Sequence, residues 1–110
     1  MHIYNVRDFA EEQGEYILGS AVLKTHACYL VYGILKEKEK ERIVKPGDGH
    51  EEIFCLVSGE VVLRGESAPF VLKPGQAFHL RGNNSLLMEN SGTGDAVYLI
   101  AGGHSKQHDH

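Results

Sequence analysis

Three side chains suited to metal binding or acid–base chemistry occupy alternate positions near the middle of the chain, namely Asp48, His50 and Glu52. Successive side chains of a β-strand point to opposite faces, so a strand through this stretch would present all three on one side. Carboxylate and imidazole groups are common ligands of divalent transition metals. The spacing therefore allows a metal site here, to which His26 or His79 from neighbouring strands could add a ligand. The alternative is that His50 is a solvated residue of the exposed turn at 47–49.

Glu52 also has a second interpretation. It begins the strand-like run 52–57, EIFCLV, in which alternation places it on one face with Phe54 and Leu56. A carboxylate on an apolar face is costly unless it is paired, hydrogen-bonded or metal-bound. We therefore expect Glu52 either to have a functional role or to lie at the open end of a barrel, bound by backbone N–H groups of the 47–49 loop.

Short apolar runs separated by turn residues predict a chain made mostly of β-strands. Thirteen glycines among 110 residues fit a turn-rich all-β protein. The run 61–63 directly follows Gly59, which predicts a hairpin with 52–57. A short helix is predicted over 7–13, ended by Gly14, and the charged segment 36–42 is expected to be a solvated hairpin end or edge strand. The predicted strands are 3–6, 16–23 (interrupted at 19–20), 27–35, 52–57, 60–64, 69–72, 76–80, 85–89 and 96–101.

Residues 46–59 resemble the first motif of the cupin family, which ends in a ligand glutamate, six residues and a glycine. Here these are Glu52, residues 53–58 and Gly59. Residues 75–90 are similar to the second cupin motif, with a strand opening at Gly75, a turn at 82–84 and a strand ending in Asn90. The resemblance implies an all-β double-stranded β-helix, or jelly-roll barrel, of the cupin type.

The resemblance also implies where metal ligands would lie. Metal-binding cupins usually offer two histidines and a glutamate from the first motif and a histidine from the second. Ungapped counting puts the three histidine positions on Pro46, Asp48 and Leu86, so Glu52 alone is unchanged. A divalent transition metal (nickel, zinc, manganese or iron) is the cofactor that the resemblance would allow; otherwise no cofactor is expected.

Because most of these ligands are missing, a small organic ligand is one prediction for the barrel, beside a metal ion. Glu52 would fix its orientation, and apolar side chains would form the walls. His79 lies between Phe78 and Leu80, and it faces outward if those two face the barrel. The predicted ligand-binding residues are Glu52, Phe54, Leu56, Phe78 and Leu86.

The last residues form a separate, histidine-rich segment. Residues 102–110 read GGHSKQHDH, with three histidines and an aspartate after two glycines. Imidazoles at this density bind nickel, copper or zinc when neutral. We therefore divide the chain into a barrel domain, 1–102, and a flexible tail, 103–110, in which His104, His108 and His110 are candidate metal ligands. A solvated tail without a metal is the alternative.

Composition excludes some partners and favours others. The net charge is −4 and no basic patch stands out, so nucleic acid is not an expected partner. No apolar run approaches the ~18 residues of a membrane span, and the N-terminus is not a signal peptide, which favours the cytoplasm. Cys28 and Cys55 are expected to be buried free thiols, although one disulfide between them is left open. A single domain of this size is marginal, so a homodimer is expected.

We therefore predict a cytoplasmic, single-domain cupin-type protein that binds a small molecule or a metal ion in its barrel. Two alternatives stay open. One is a metal-dependent cupin enzyme of the dioxygenase or isomerase type, and the other is a non-catalytic, dimeric sensory or interaction module. The sequence does not decide whether the chain is an enzyme, and it identifies no catalytic residue.

Overall fold

The computed structural model describes residues 1–105. Within this range the chain forms two antiparallel sheets and two short helices. The helices are α1 (Val6–Gln13) and α2 (Ser20–Leu23). The strands are β1 (Glu15–Leu18), β2 (Tyr29–Leu35), β3 (Arg42–Val44), β4 (His50–Ser58), β5 (Val61–Arg64), β6 (Phe70–Leu72), β7 (Ala77–Arg81), β8 (Leu86–Asn90) and β9 (Ala96–His104).

The two sheets enclose one hydrophobic core. The larger sheet has the strand order β1-β2-β9-β4-β7, and the smaller has the order β3-β8-β5-β6. Strand β4 shows the alternation that the sequence predicts, because Glu52, Phe54 and Leu56 are buried while Ile53 is 53% exposed. Both sheets contribute core side chains, among them Val31, Leu35, Val44, Phe54, Leu56, Val61, Leu63, Leu72, Leu80, Met88, Tyr98 and Ile100.

The predicted hairpin between residues 52–57 and 61–63 is wrong. Strand β4 lies between β9 and β7 in the larger sheet, so both of its edges are already paired. Strand β5 instead pairs with β6 and β8 in the smaller sheet. The chain crosses between the sheets at Gly59, which has a φ of 90°. A crossing turn and a hairpin turn give the same local pattern, since each is a glycine between two apolar runs.

The N-terminal region differs from the prediction in two places. Residues 3–5 form no strand, and α1 begins at Val6. The predicted end of this helix at Gly14 is confirmed, because its N–H donates to the Ala10 carbonyl at 2.6 Å from a left-handed conformation. The predicted strand 16–23 stops at Leu18, and the following residues turn into α2. No helix within residues 1–105 is long and apolar enough to span a membrane.

Strands β2 and β9 contain two close approaches between a tyrosine ring and a glycine. Gly33 of β2 is in register with Tyr98 of β9, and Gly102 of β9 is in register with Tyr29 of β2. A Cβ atom on Gly33 would overlap the Tyr98 ring, and one on Gly102 would overlap the Tyr29 ring. Glycine at both positions therefore lets each tyrosine lie flat across the neighbouring strand.

We expect Gly33→Ala to lower the free energy of unfolding by about 3 kcal/mol, because the added methyl group would displace a fully buried ring. Urea denaturation would measure this loss. In a Tyr98→Leu background, which removes the ring, the same substitution should cost much less. An equal cost in both backgrounds would show that the ring is not the cause.

Candidate functional site

A cavity of about 300 Å³ lies between the inner face of the larger sheet and strand β3 of the smaller one. Its inner wall comes from strands β1, β2, β4 and β9. Exposed residues between α2 and β2, including His26 and Cys28, line the rim. The side chains that line the cavity include Glu15, Ile17, His26, Tyr29, Val31, Lys45, His50, Glu52 and Ile100.

The floor of this cavity carries a buried carboxylate bonded to a phenol. Glu52 is only 7% exposed, and the Tyr29 hydroxyl donates to its Oε2 at 2.5 Å. Burial raises the pKa of the Glu52 carboxyl above its usual value of 4.5, although the Tyr29 hydrogen bond and the His50 charge act in the opposite direction. Burial and the bond to Glu52 also raise the pKa of Tyr29, so its hydroxyl stays a donor at neutral pH.

Strand register explains how Tyr29 reaches Glu52. Both residues are paired with Gly102, from opposite sides of the central strand β9. Because Gly102 has no side chain, the Tyr29 ring crosses β9 above it and meets the carboxylate on β4. Sequence reasoning missed Tyr29, and it interpreted Gly102 only as the boundary between the barrel and a flexible tail. The pairing of distant strands makes these residues neighbours, and no local pattern contains that pairing.

A second arrangement of the same kind lies beside the first. Tyr98 on β9 crosses Gly33 on β2 and donates to Oε2 of Glu15 on β1 at 2.6 Å. The Tyr98 hydroxyl also accepts from Nη1 of Arg42 at 3.1 Å. Burial, followed by the bond to Glu15, raises the pKa of Tyr98. Since Glu15 also lines the cavity, two carboxylates face the same space.

Arg42 was expected on a solvated surface, and the structure places it differently. Its side chain is 18% exposed and pairs with Glu39 at 2.8 Å. Nη1 also donates to the carbonyls of Gly14 and Ile34, each at 3.1 Å. The alternating charges of 36–42 gave no sign of this role, because the partners of Arg42 lie on other elements.

Three imidazoles meet near the rim of the cavity. His50 and His104 are paired residues of β4 and β9, with ring centroids 5.0 Å apart. The His26 ring lies 5.8 Å from that of His104, and the Tyr29 ring lies 5.5 Å from that of His50. Nevertheless, no group of three His, Cys, Asp or Glu side chains within residues 1–105 is arranged to hold a metal ion.

The predicted metal trio is only partly brought together. His50 and Glu52 line the cavity, whereas Asp48 is exposed and borders a different, open depression with Arg81. His104 is the last residue of β9, two positions beyond the predicted domain limit at 102. His108 and His110 lie outside the described residues, so the predicted tail site stays a prediction.

The predicted apolar wall residues have other positions. Phe54 and Leu56 are fully buried in the core and are not among the residues that line this cavity, because the Phe54 ring stacks on Tyr98 and Phe78. Phe78 and Leu86 line a second cavity, of about 560 Å³, between β6, β7 and β8. Only Glu52 of the five predicted binding residues lines the first cavity.

His79 was expected to face outward if Phe78 and Leu80 face the core, and the structure shows this orientation. It is exposed, and its Nε2 lies 2.8 Å from Oε1 of Glu51. The two cysteines are unbonded, which answers the disulfide question, and Cys28 is exposed where a buried thiol was expected. The cytoplasmic location stays a prediction.

Comparison with known proteins establishes the fold. No protein-family model and no curated protein matches the sequence. A cupin protein from Bacteroides fragilis superposes with a TM-score of 0.72 at 11% identity, covering 100% of this chain and 86% of that chain. The chain has the cupin fold. This confirms the double-stranded β-helix implied by the two sequence motifs.

Two further cupin structures agree with this assignment. A sugar phosphate isomerase from a cupin superfamily, from Silicibacter pomeroyi, has a TM-score of 0.66 at 18% identity, over 94% of this chain and 68% of that one. The cupin domain of Schizosaccharomyces pombe Cnp3 has a TM-score of 0.64 at 14% identity, over 74% of this chain. The present chain covers 55% of that protein's solved chain.

The residues of this chain do not fit the metal site that the cupin motifs imply. Pro46 is fully buried and has no donor atom, and Leu86 packs against the hydrophobic core. Asp48, which occupies the remaining histidine position of the motifs, does not line the cavity that holds Glu52. Of the four motif positions, Glu52 alone therefore offers a side-chain donor to this cavity, whereas a metal site needs three or four donors that converge.

We expect Glu52→Gln to gain stability relative to the native chain as the pH rises. Because the folded pKa of Glu52 lies above the unfolded value near 4.5, the folded chain binds this proton more tightly. The proton bound by Glu52 therefore stabilises the folded chain fully below the unfolded pKa. This stabilisation is lost as the pH rises through the folded pKa. Urea denaturation of both proteins between pH 4 and 8 would reveal the trend.

The control for this experiment is Glu66→Gln, which removes an exposed carboxylate from a turn and so corrects for the change in net charge. Parallel trends in the two variants would contradict a specific effect of burial at Glu52.

Proposed function

We propose that this chain is a cupin-fold module that binds a small organic molecule in the cavity above Glu52 and Tyr29. One observation carries the proposal, namely a carboxylate that is 7% exposed at the floor of an open cavity. Burying a carboxylate costs free energy, and the neighbouring inward positions on β4 are filled by Phe54 and Leu56. A side chain as apolar as these would pack better at position 52 if the position served the core alone.

The size and lining of the cavity support a small ligand. Its volume of about 300 Å³ is at the lower end of the range of about 300–1,000 Å³ for ligand pockets. Val31 and Ile100 provide apolar walls, and Tyr29, His50 and Glu52 provide polar atoms at one side. An apolar wall with a few convergent polar groups is typical of a site that binds and orients an organic molecule.

A metal-dependent enzyme of the dioxygenase or isomerase type is the weaker alternative. A structure with the same fold is described as a sugar phosphate isomerase, but Pro46 and Leu86 stand where the cupin motifs place metal ligands. The chemistry proposed for this chain is therefore recognition, and it requires no bound metal.

Titration of the ¹⁵N-labelled chain with a diverse fragment set would test small-molecule binding by NMR. We expect chemical-shift changes at Tyr29, Val31, His50 and Ile100. Tyr29→Phe should weaken binding about tenfold, because it removes the donor that holds Glu52 in place.

The matched control is Tyr32→Phe, which alters a half-buried tyrosine on the opposite face of the same strand. Its binding should equal that of the native chain. Shift changes confined to the second cavity, around 65–68 and 83–86, would overturn the assignment of the site, and the absence of any binding would overturn the function.

We further propose that two copies of the chain associate through the outer face of the larger sheet. Two adjacent rows of outward residues cross this face, and they are almost entirely apolar. One row is Leu18, Leu30, Ala101, Ile53 and His79, and the other is Tyr16, Tyr32, Leu99, Cys55 and Ala77. Helix α1 covers the β1 side, where Phe9 stacks on Tyr16 with ring centroids 4.8 Å apart.

The dimensions of the face fit a second copy. Strands β4 and β9 have nine residues each, which gives a length of about 30 Å. Five strands at a spacing of about 4.8 Å span about 24 Å. The two apolar rows cover about 14 Å of the strand length, because side chains on one face repeat about every 7 Å, so they would form the apolar centre of an interface whose polar rim completes the ~800 Å² that each partner buries in a standard complex. A two-fold dimer would cover the same residues on both copies.

We expect Ile53→Lys to convert a dimer into a monomer, since Ile53 is 53% exposed and lies near the middle of the face. Analytical ultracentrifugation at several concentrations would measure this. The control Val71→Lys alters a 50% exposed residue of β6, in the other sheet, and should leave the dimer intact. A native chain that stays monomeric, or a dimer that survives Ile53→Lys, would refute this interface.

A further inference from the structure

We propose that the ligand of this cavity is a small protonated amine with an apolar body. The ammonium group would bind the carboxylate of Glu52, and the body would rest against Val31 and Ile100. This inference rests on the proposed function and names the class of ligand. It follows from the charge of the cavity lining and from the oxygen of the buried Glu52 carboxylate that accepts no hydrogen bond from the described residues.

The lining of the cavity contains two carboxylates. Glu15 and Glu52 both face the cavity, and each accepts a hydrogen bond from an uncharged phenol. Within residues 1–105, neither carboxylate forms an ion pair. The Glu15 charge also raises the pKa of Glu52, as expected for two like charges that share one space.

The nearby cations bind other groups and not these carboxylates. Lys45 lines the cavity, but its Nζ donates to the Gly82 carbonyl at 3.1 Å. The Arg42 guanidinium is held by Glu39 and by two backbone carbonyls, and it meets the Tyr98 hydroxyl and not the Glu15 carboxylate. At neutral pH the cavity therefore contains two carboxylates whose charge no lysine or arginine offsets by direct contact.

The two carboxylate oxygens of Glu52 differ in their hydrogen bonds. Oε2 accepts the Tyr29 hydroxyl, whereas Oε1 accepts no hydrogen bond from the described residues. No buried side-chain oxygen or nitrogen in residues 1–105 lacks a partner, so Oε1 is not sealed inside the core. An oxygen on a carboxylate that is more than nine-tenths buried, and that faces a cavity, is placed to accept a charge-assisted hydrogen bond.

The remaining lining favours a cation over an anion. An anionic ligand would meet two carboxylates at the floor, which is a like-charge contact in a poorly solvated space. An ammonium group would instead offset their charge, and the face of the Tyr29 ring adds a cation–π contact. Apolar side chains of Val31, Ile17 and Ile100 then require the rest of the ligand to be apolar.

Amine binding should weaken in acid. Protonation of Glu52 removes the acceptor charge. The other titratable groups that line the cavity are Glu15, His26, Cys28, Tyr29, Lys45 and His50, and His104 lies beside His50. Because burial raises the pKa of Glu52, the loss of its charge in acid predicts tighter binding at pH 8 than at pH 5.

Three probes of similar size and different charge test the proposal, namely benzylamine, benzyl alcohol and benzoate. We expect NMR titration at pH 7.5 to show that benzylamine binds at least about tenfold more tightly than benzyl alcohol, from the gain of a charged hydrogen bond, and that benzoate binds least. Glu52→Gln should remove this preference and leave the affinity for benzyl alcohol nearly unchanged. The matched control Glu51→Gln, on the outer face of the same strand, should keep the preference.

The results of this experiment distinguish an error in the ligand class from an error in the proposed binding function. If benzyl alcohol or benzoate binds as tightly as benzylamine, the ligand class is wrong while the binding function stands. If none of the three probes and no fragment of a diverse set binds, both fail. If Glu52→Gln does not fold, Glu15→Gln provides the second variant, since it removes half of the floor charge and should lower the amine preference. An unchanged preference in Glu15→Gln would contradict the electrostatic argument.

Discussion

The close contact between two tyrosine rings and two glycines on strands β2 and β9 is the constraint on which the rest of the site depends. Each ring crosses a glycine on the neighbouring strand and ends at a carboxylate on the strand beyond it. Tyr29 reaches Glu52 in this way, and Tyr98 reaches Glu15. Tyr29 lies on β2 and crosses β9, whereas Tyr98 lies on β9 and crosses β2, so the two arrangements run in opposite directions across the sheet. Both carboxylates therefore face the interior of the barrel.

These contacts explain how a barrel with a hydrophobic core keeps two acidic groups in its wall. A buried carboxylate is tolerated when a donor satisfies it, and each phenol provides one such donor. The phenols carry no charge, so the acidity of the cavity is retained. A lysine or arginine in their place would also satisfy the oxygens but would cancel the charge. The tyrosines thus satisfy hydrogen bonding without compensating the charge, and compensation is the role assigned above to the proposed ligand.

Much of the fold was predictable because it depends on local patterns. The helix that ends at Gly14, the inward face of Glu52, Phe54 and Leu56, and the rhythm of short strands all follow from alternation and from turn residues. The spacing from Glu52 to Gly59, the second motif at 75–90 and the rhythm of strands and turns together indicated the cupin barrel. The assignment of β4 and β5 to one hairpin failed because a glycine turn does not reveal whether the next strand joins the same sheet.

The site was less predictable because its members meet only through register. Glu52 was identified from its position on an apolar strand, but Tyr29, Glu15 and Arg42 carry no local signal of their partners. Gly102 was interpreted from its neighbours in sequence. In the structure it lies beneath the ring of Tyr29, which is seventy-three positions earlier in the chain. Phe78 and Leu86 were sound choices as apolar interior residues, and the structure places them at a different cavity.

The arrangement of Tyr29, Gly102 and Glu52 also has a consequence for the order in which substitutions could accumulate. A larger residue at 102 cannot be accommodated while the ring lies above it, so Tyr29 would have to change first. Once the phenol is lost, Glu52 keeps its burial but loses its donor, and a neutral residue becomes favourable there. The three positions are therefore coupled historically: a lineage would be expected to retain all three or to lose them in sequence, with the tyrosine going before the glycine.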